Sequence, residues 1–284
     1  MTSPPRLGLM PSAALPRMAQ PQVASIIAAD WAELVAELDC WGEAGWVAPL
    51  WWRDDDAVAA TPELAKLLRI AGGRPVALAV IPALATADLA AALAGVPAAG
   101  VLQHGWCHAN RGNGKKSEYP SGLSASVVAA EIAAGRDCLA ALFGSRALPV
   151  FVPPWNRIAP ELLGVLAASG IAAVSTIASP TKPESSASQP TKRNVAGPGI
   201  IDVHVDLTDW KGGRRFIGTA KALGGLVFWL RRGRLGNAVA AGPIGILTHH
   251  LIMDRETAAF VAALQERIAG HRAARWVDIP ELLR

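Results

Sequence analysis

The chain has 284 residues, 51% of them hydrophobic and 18% charged, with a formal net charge of +4. That is too long for a disulfide miniprotein and too apolar for a disordered chain. Ten Trp stand against five Phe and a single Tyr, an imbalance that needs a physical account.

The first 27 residues are broken by Pro and lack a continuous apolar stretch. They read as a flexible tail and a poor signal peptide, and residues 28–284 as one catalytic domain. With Cys40, Cys107 and Cys138 forming no CxxC pair, a reducing, cytoplasmic setting is expected.

Asp30 is placed to cap a helix carrying Trp31, Leu34, Val35, Leu38 and Trp41 on one face, ended by Gly42 and Gly45. A strand from Val47 to Arg53 runs into Asp54-Asp55-Asp56. Thr61-Pro62 opens the next helix. A strand over 76–81, a helix over 87–93 and a strand over 100–104 follow, then a polar, Gly-rich loop from Trp106 to Gly122. A long helix spans 124–143, a strand 149–152, a helix 160–168 and a strand 171–175. The uncharged stretch from Leu162 to Thr181 is divided by Ser169-Gly170, so it reads as helix, turn and strand rather than a membrane span. Residues 180–199 are rich in Ser, Pro, Thr and Lys and predict a long surface loop. The remaining pattern is strand 200–205, helix 219–232, strand 244–248, helix 255–268 and a strand near Trp276.

Strands alternating with helices imply a parallel sheet, and continuous apolar strands imply that both of its faces are covered. About seven such units favour an α/β barrel over an open sheet. In such folds chemistry gathers at the strand C-termini. Here those positions carry Arg53 with the Asp54–Asp56 triplet, then His104 and His108. Pro153-Pro154-Trp155, Asp206 to Trp210, and Leu247-Thr248-His249-His250 follow. Three adjacent carboxylates repel one another and call for a cation, a raised pKa or full solvation. The HxxxH spacing lets two imidazoles meet one metal, and a carboxylate from another strand completes a facial set with open positions. Asp202, His204 and Asp206 alternate and would share one strand face, lining the interior. The basic cluster Lys211, Arg214, Arg215 and then Arg231, Arg232, Arg234 suits a solvated face or an anionic substrate. No nucleic-acid motif accompanies it.

The ordered set resembles the five motifs of the polysaccharide deacetylase superfamily, the NodB-homology carbohydrate esterases, in a divergent form. TFDDG is similar to residues 52–56, HxxxH matches 104–108 and RxPY is similar to 152–155. DxxDW matches 206–210 and LxH matches 247–249. The resemblance implies a distorted (β/α)7 barrel and metal-dependent removal of an N-acetyl group from a saccharide or sugar-linked substrate. It implies a divalent metal, Zn²⁺ first, with Fe²⁺, Co²⁺ or Ni²⁺ as alternatives. By position, Asp55, His104 and His108 would bind the metal, Asp54 would be the base and His249 the acid, with His250 the alternative acid. Trp155, Trp210 and Leu247 would contact substrate. Arg53, Asp56, Asp206, Asp209 and His250 would stand behind them. Trp52, Trp106, Trp155 and Trp210 would wall one pocket, while Trp31, Trp41 and Trp229 serve the core.

Two departures leave alternatives open. Asp56 stands where the family has Gly, so a shift by one residue would make Asp55 the base and Asp56 the ligand. Val152 stands where the family has the Arg that orients the base, so Arg53 or Arg157 must replace it, or the base is held differently. Hydrolysis of a non-sugar C–N amide and a non-catalytic carbohydrate-binding homologue are the competing functions.

Overall fold

The computed structural model describes residues 29–180, 197–236 and 242–284. The expected tail and most of the 180–199 loop lie outside these residues.

Helix α1 (Trp31–Glu43) begins at a reciprocal capping box. The Asp30 carboxylate accepts from the Glu33 N–H, and the Glu33 carboxylate accepts from the Asp30 N–H. Leu34, Leu38 and Trp41 are buried, whereas Val35 lies at the exposed edge of that face. Strand β1 (Ala48–Ala57) does not stop at Arg53; it carries the whole acidic triplet. Then come α2 (Pro62–Ala71), capped by Thr61, β2 (Val76–Val80), α3 (Ala87–Ala94) and β3 (Ala99–His104). Next are α4 (Ala125–Phe143), β4 (Ala147–Val152), α5 (Leu163–Ala168) and β5 (Ala173–Val174). The predicted strand over 200–205 is two pieces, β6 (Gly199–Ile200) and β7 (Val203–Asp206). A small hairpin, β8 (Thr208–Asp209) with β9 (Arg215–Phe216), precedes α6 (Thr219–Leu235). The chain closes with β10 (Ile244–Thr248), α7 (Arg255–Gly270), β11 (Ala274–Trp276) and α8 (Ile279–Leu282). No described helix is long and apolar enough to cross a membrane.

The large sheet is parallel, in the order β6-β5-β4-β3-β2-β1-β10-β7, with β11 beside the start of β1. Just beyond β5, Ile177 bridges Val203 of β7, and the Val203 N–H donates to the Thr176 carbonyl at 2.9 Å. The sheet therefore curls until its two sides meet, with helices around it: the distorted α/β barrel expected from the sequence.

Side-chain alternation creates two cores. Trp51, Ala77, Ala79, Leu102, Val150, Val152, Val203 and Leu247 fill the inside of the ring. Leu50, Trp52, Leu78, Val80, Ile244 and Ile246 pack outward against Leu34, Leu38, Trp41, Leu223 and Trp229 of the helices. On β1, odd positions thus face inward and even positions face the helices.

Two irregularities break this alternation. Between β1 and β2, Asp54 pairs with Leu78 but Ala57 with Val80, so β1 carries one extra residue, a bulge. Between β10 and β7, Gly245 pairs with Val203 but Ile246 with Val205. That second bulge overturns the shared face expected for Asp202, His204 and Asp206. Asp202 accepts from the Thr176 N–H and hydroxyl, His204 packs edge-on against Trp229 of α6, and Asp206 turns toward the strand ends.

Candidate metal centre

Arg53 and Asp55 are inward residues of β1, and both are buried. The Arg53 guanidinium grips Asp55 with both arms: Nε donates to Oδ1 at 2.8 Å and Nη2 to Oδ2 at 3.0 Å. Its remaining donors reach the Ser175 hydroxyl and carbonyl and the Asn156 side-chain oxygen at 2.6 Å. A buried guanidinium is tolerated only with such full pairing. Of the two arginines considered from the sequence, Arg53 contacts the acidic strand end, whereas Arg157 Nη1 donates to the Lys116 carbonyl.

Asp54, an even residue, points to the helix side. Its Oδ2 accepts from the Thr248 hydroxyl, and its Oδ1 lies 2.5 Å from His250 Nδ1. The Trp52 indole N–H donates to Thr248 Oγ1 at 2.8 Å. Asp54, His250, Thr248 and Trp52 are all buried, so none of them lines an open groove. The structure thus places Asp54, expected as the base, against Thr248 and His250 and away from the barrel interior. It also removes Trp52 from the expected aromatic wall.

The bulge rotates the next residue. Asp56 adopts φ 70°, in the left-handed region, and its Oδ1 lies 3.1 Å from His104 Nε2 and 3.4 Å from His108 Nε2. These three side chains are the described residues whose donor atoms gather within 4.8 Å of one another. Asp55 was expected beside the histidines; Asp56 occupies that place because the extra residue in β1 turns it there. Two ligands about 2.1 Å from one cation at near-tetrahedral or octahedral angles stand ~3.0–3.4 Å apart. The observed separations fit a first-row divalent metal. The Val152 carbonyl, 3.0 Å from His104 Nδ1, fixes that ring with Nε2 toward the cluster. Burial opposes the charge on Asp56, but the His104 hydrogen bond and the nearby imidazoles hold its carboxyl well below the usual range. Burial and the His104 charge push His108 down.

His108 (φ 58°) stands on a turn held by a residue that sequence reading missed. Buried Glu118 accepts the Trp106 N–H at 3.2 Å and the Cys107 N–H at 2.9 Å. Its signal was present: a lone acid in a Gly-rich loop after HxxxH. Asn156, Ser175 and Thr248 were likewise missed as partners of the acidic strand end.

The aromatic walls are partly as expected. The Trp155 ring centroid lies 4.3 Å from that of His108, and Trp155 and Asn156 both have φ near 57°. Trp210 is half exposed, stands edge-on to His249 at 4.7 Å, and donates its indole N–H to Asp206 at 2.7 Å. Burial pushes the Asp206 carboxyl up, against that hydrogen bond and the His249 charge. His249 itself is largely buried, with no partner for Nδ1 among the described residues. Leu247, expected to contact substrate, is fully buried inside the ring. Asp209 is spent on the hairpin turn, accepting the N–H groups of Lys211 and Gly212.

Fold and site together define a parallel α/β barrel with a two-histidine, one-carboxylate cluster at its strand ends. No family model matches the sequence, and no curated protein matches it. Solved structures do share the fold. A proposed polysaccharide deacetylase from Mycobacterium smegmatis aligns with TM-score 0.51 and 15% identity, over 84% of this chain and 90% of that one. A peptidoglycan N-acetylglucosamine deacetylase aligns with TM-score 0.50 and 14% identity, over 84% and 88%. A mutant of a CE4 family pseudoenzyme with restored enzymatic activity gives TM-score 0.51 and 14% identity, over 84% and 68%. The chain has the polysaccharide-deacetylase fold.

Proposed function

We propose that this protein is a metal-dependent hydrolase that removes an N-acetyl group from a saccharide. The observation that carries the reading is the Asp56–His104–His108 cluster one residue from a carboxylate clamped by a buried guanidinium. Asp56, His104 and His108 would hold the cation, with Zn²⁺ the first choice for such a donor set. When bound, a divalent cation lowers the pKa of a water and polarises the amide carbonyl.

This assignment uses the shifted register: Asp55 is the base and Asp56 the ligand. Asp55 accepts the proton of the attacking water while Arg53 fixes its orientation. The water oxygen bonds to the acetyl carbon, the C–N bond breaks, and His249 donates a proton to the departing nitrogen, giving acetate and a free amine. Trp155 and Trp210 bound the groove, their flat faces suited to a sugar ring.

The test is acetate release from a panel of N-acetylated sugars by zinc-loaded protein, alongside metal analysis. About one equivalent of metal and acetate release are expected. No bound metal after Zn²⁺ addition would overturn the reading. A protein that binds the metal but hydrolyses only non-sugar amides would redirect it to that substrate class.

A further inference from the structure

A net basic stretch lies beside each of the two aromatic walls. Residues 105–122, the loop behind His108, contain Arg111, Lys115 and Lys116 against one acid, Glu118, which is buried and committed to backbone N–H groups. Residues 206–221, the β8–β9 hairpin that carries Trp210 and the start of α6, contain Lys211, Arg214, Arg215 and Lys221 against Asp206 and Asp209. Asp206 is engaged with Trp210, and Asp209 with its own turn.

The backbone that carries these residues is held in place. The Lys116 carbonyl accepts from Arg157 at 3.0 Å, and Ser117 Oγ donates to the Arg157 carbonyl, pinning this segment against the Trp155 turn. Lys116 Nζ sits 5.9 Å from the Trp155 ring centroid, and that ring abuts His108. Across the site, Lys211 directly follows Trp210, and the Arg214 N–H donates to the Asp209 carbonyl at 2.9 Å. Lys115, Lys116, Arg157, Lys211 and Arg214 are exposed and make no ion pair among the described residues. Within the first loop only Arg111 has a carboxylate partner, Glu131. Exposed cations beside Trp155 and Trp210 would attract an anion to the strand ends between them.

We infer that the substrate is an anionic saccharide, an N-acetylated sugar carrying a phosphate or carboxylate. The inference rests on the hydrolase reading for the reaction but not for the charge preference. At the rim, Lys116 and Lys211 select the charged sugar, while Trp155 and Trp210 take its ring.

The experiment is titration of zinc-loaded full-length protein, followed by tryptophan fluorescence, with three probes: N-acetylglucosamine, N-acetylglucosamine 1-phosphate and N-acetylmuramic acid. At least one charged sugar is expected to bind ten times or more tighter than the neutral one at 50 mM NaCl, and to lose most of that advantage at 500 mM. Which of the two does so tells phosphate from carboxylate. Lys116→Ala and Lys211→Ala should each weaken its binding at least threefold with zinc content unchanged, and Lys66→Ala should not. Equal binding of charged and neutral sugars, no binding of any, or insensitivity to both rim substitutions would overturn the inference. So would equally tight binding of a single-stranded oligonucleotide. Selective binding without acetate release would leave the inference standing and remove the hydrolase reading. Equal acetate release from neutral and charged sugars would do the reverse.

Discussion

At the residue scale, the triplet Asp54-Asp55-Asp56 divides into three environments. Asp54 meets a histidine, Asp55 an arginine, and Asp56 two imidazoles. Each carboxylate therefore has its own cationic or hydrogen-bonding partner, which answers the repulsion that the sequence posed. Substitutions separate the roles. Asp55→Asn should retain zinc and lower kcat by about 10³-fold, within the range for a lost general base. Asp56→Ala and His104→Ala should lose zinc as well as activity. Asp54→Asn should retain zinc and keep more activity than Asp55→Asn; the opposite ranking in acetate-release kinetics would restore the unshifted register. Arg53→Lys keeps a charge but not the two-armed grip. It should lower kcat with KM nearly unchanged, and Arg53→Ala should cost about 3 kcal/mol of stability in denaturant unfolding, because it leaves a buried carboxylate alone.

Elements explain how much of this was legible. Strand and helix positions followed from periodicity, and HxxxH was readable because its two histidines belong to one loop. The register of β1 was legible only as an alternative: Asp56 in place of Gly raised the shift, but a bulge leaves no mark in composition that would decide it. The same blindness put Asp202, His204 and Asp206 on one face. The wall assigned to Trp52 failed for a simpler reason, since a strand residue of even number points to the helices. The loop carrying His108 offers its own test. Glu118→Ala removes the acceptor of two backbone N–H groups and should weaken zinc affinity 10–100-fold while leaving Asp55 untouched, as competition with a chelator would measure. Gly105→Ala should be worse, since its φ of 61° disfavours a side chain and the added Cβ would collide with Glu118 and Pro154.

For the whole molecule, His204 links pH to stability. It packs half-buried against Trp229, accepts the Gly245 N–H at Nδ1, and loss of solvent around the ring lowers its pKa to about 4. Its unfolded counterpart titrates near 6.5. The neutral ring's contribution is thus fully present above pH 6.5 and is lost as pH falls toward 4. The shift corresponds to about 3 kcal/mol over that window. Thermal unfolding should show a steeper loss of stability between pH 6.5 and 4 in the parent protein than in His204→Phe. Equal slopes would show that other groups govern the acid limb.

Arg53 has one more consequence. It and Asp55 are two residues apart on one strand, so the cation that aims the carboxylate travels with it. Their mutual alignment does not depend on how β4 is seated against its neighbours. What β4 supplies here is a main-chain oxygen, at Val152, which any residue can offer. The Val152 side chain packs inside the ring. A motif search that demands an arginine there would pass over chains built this way, whereas one that looks for an arginine two residues before an inward aspartate would gather them.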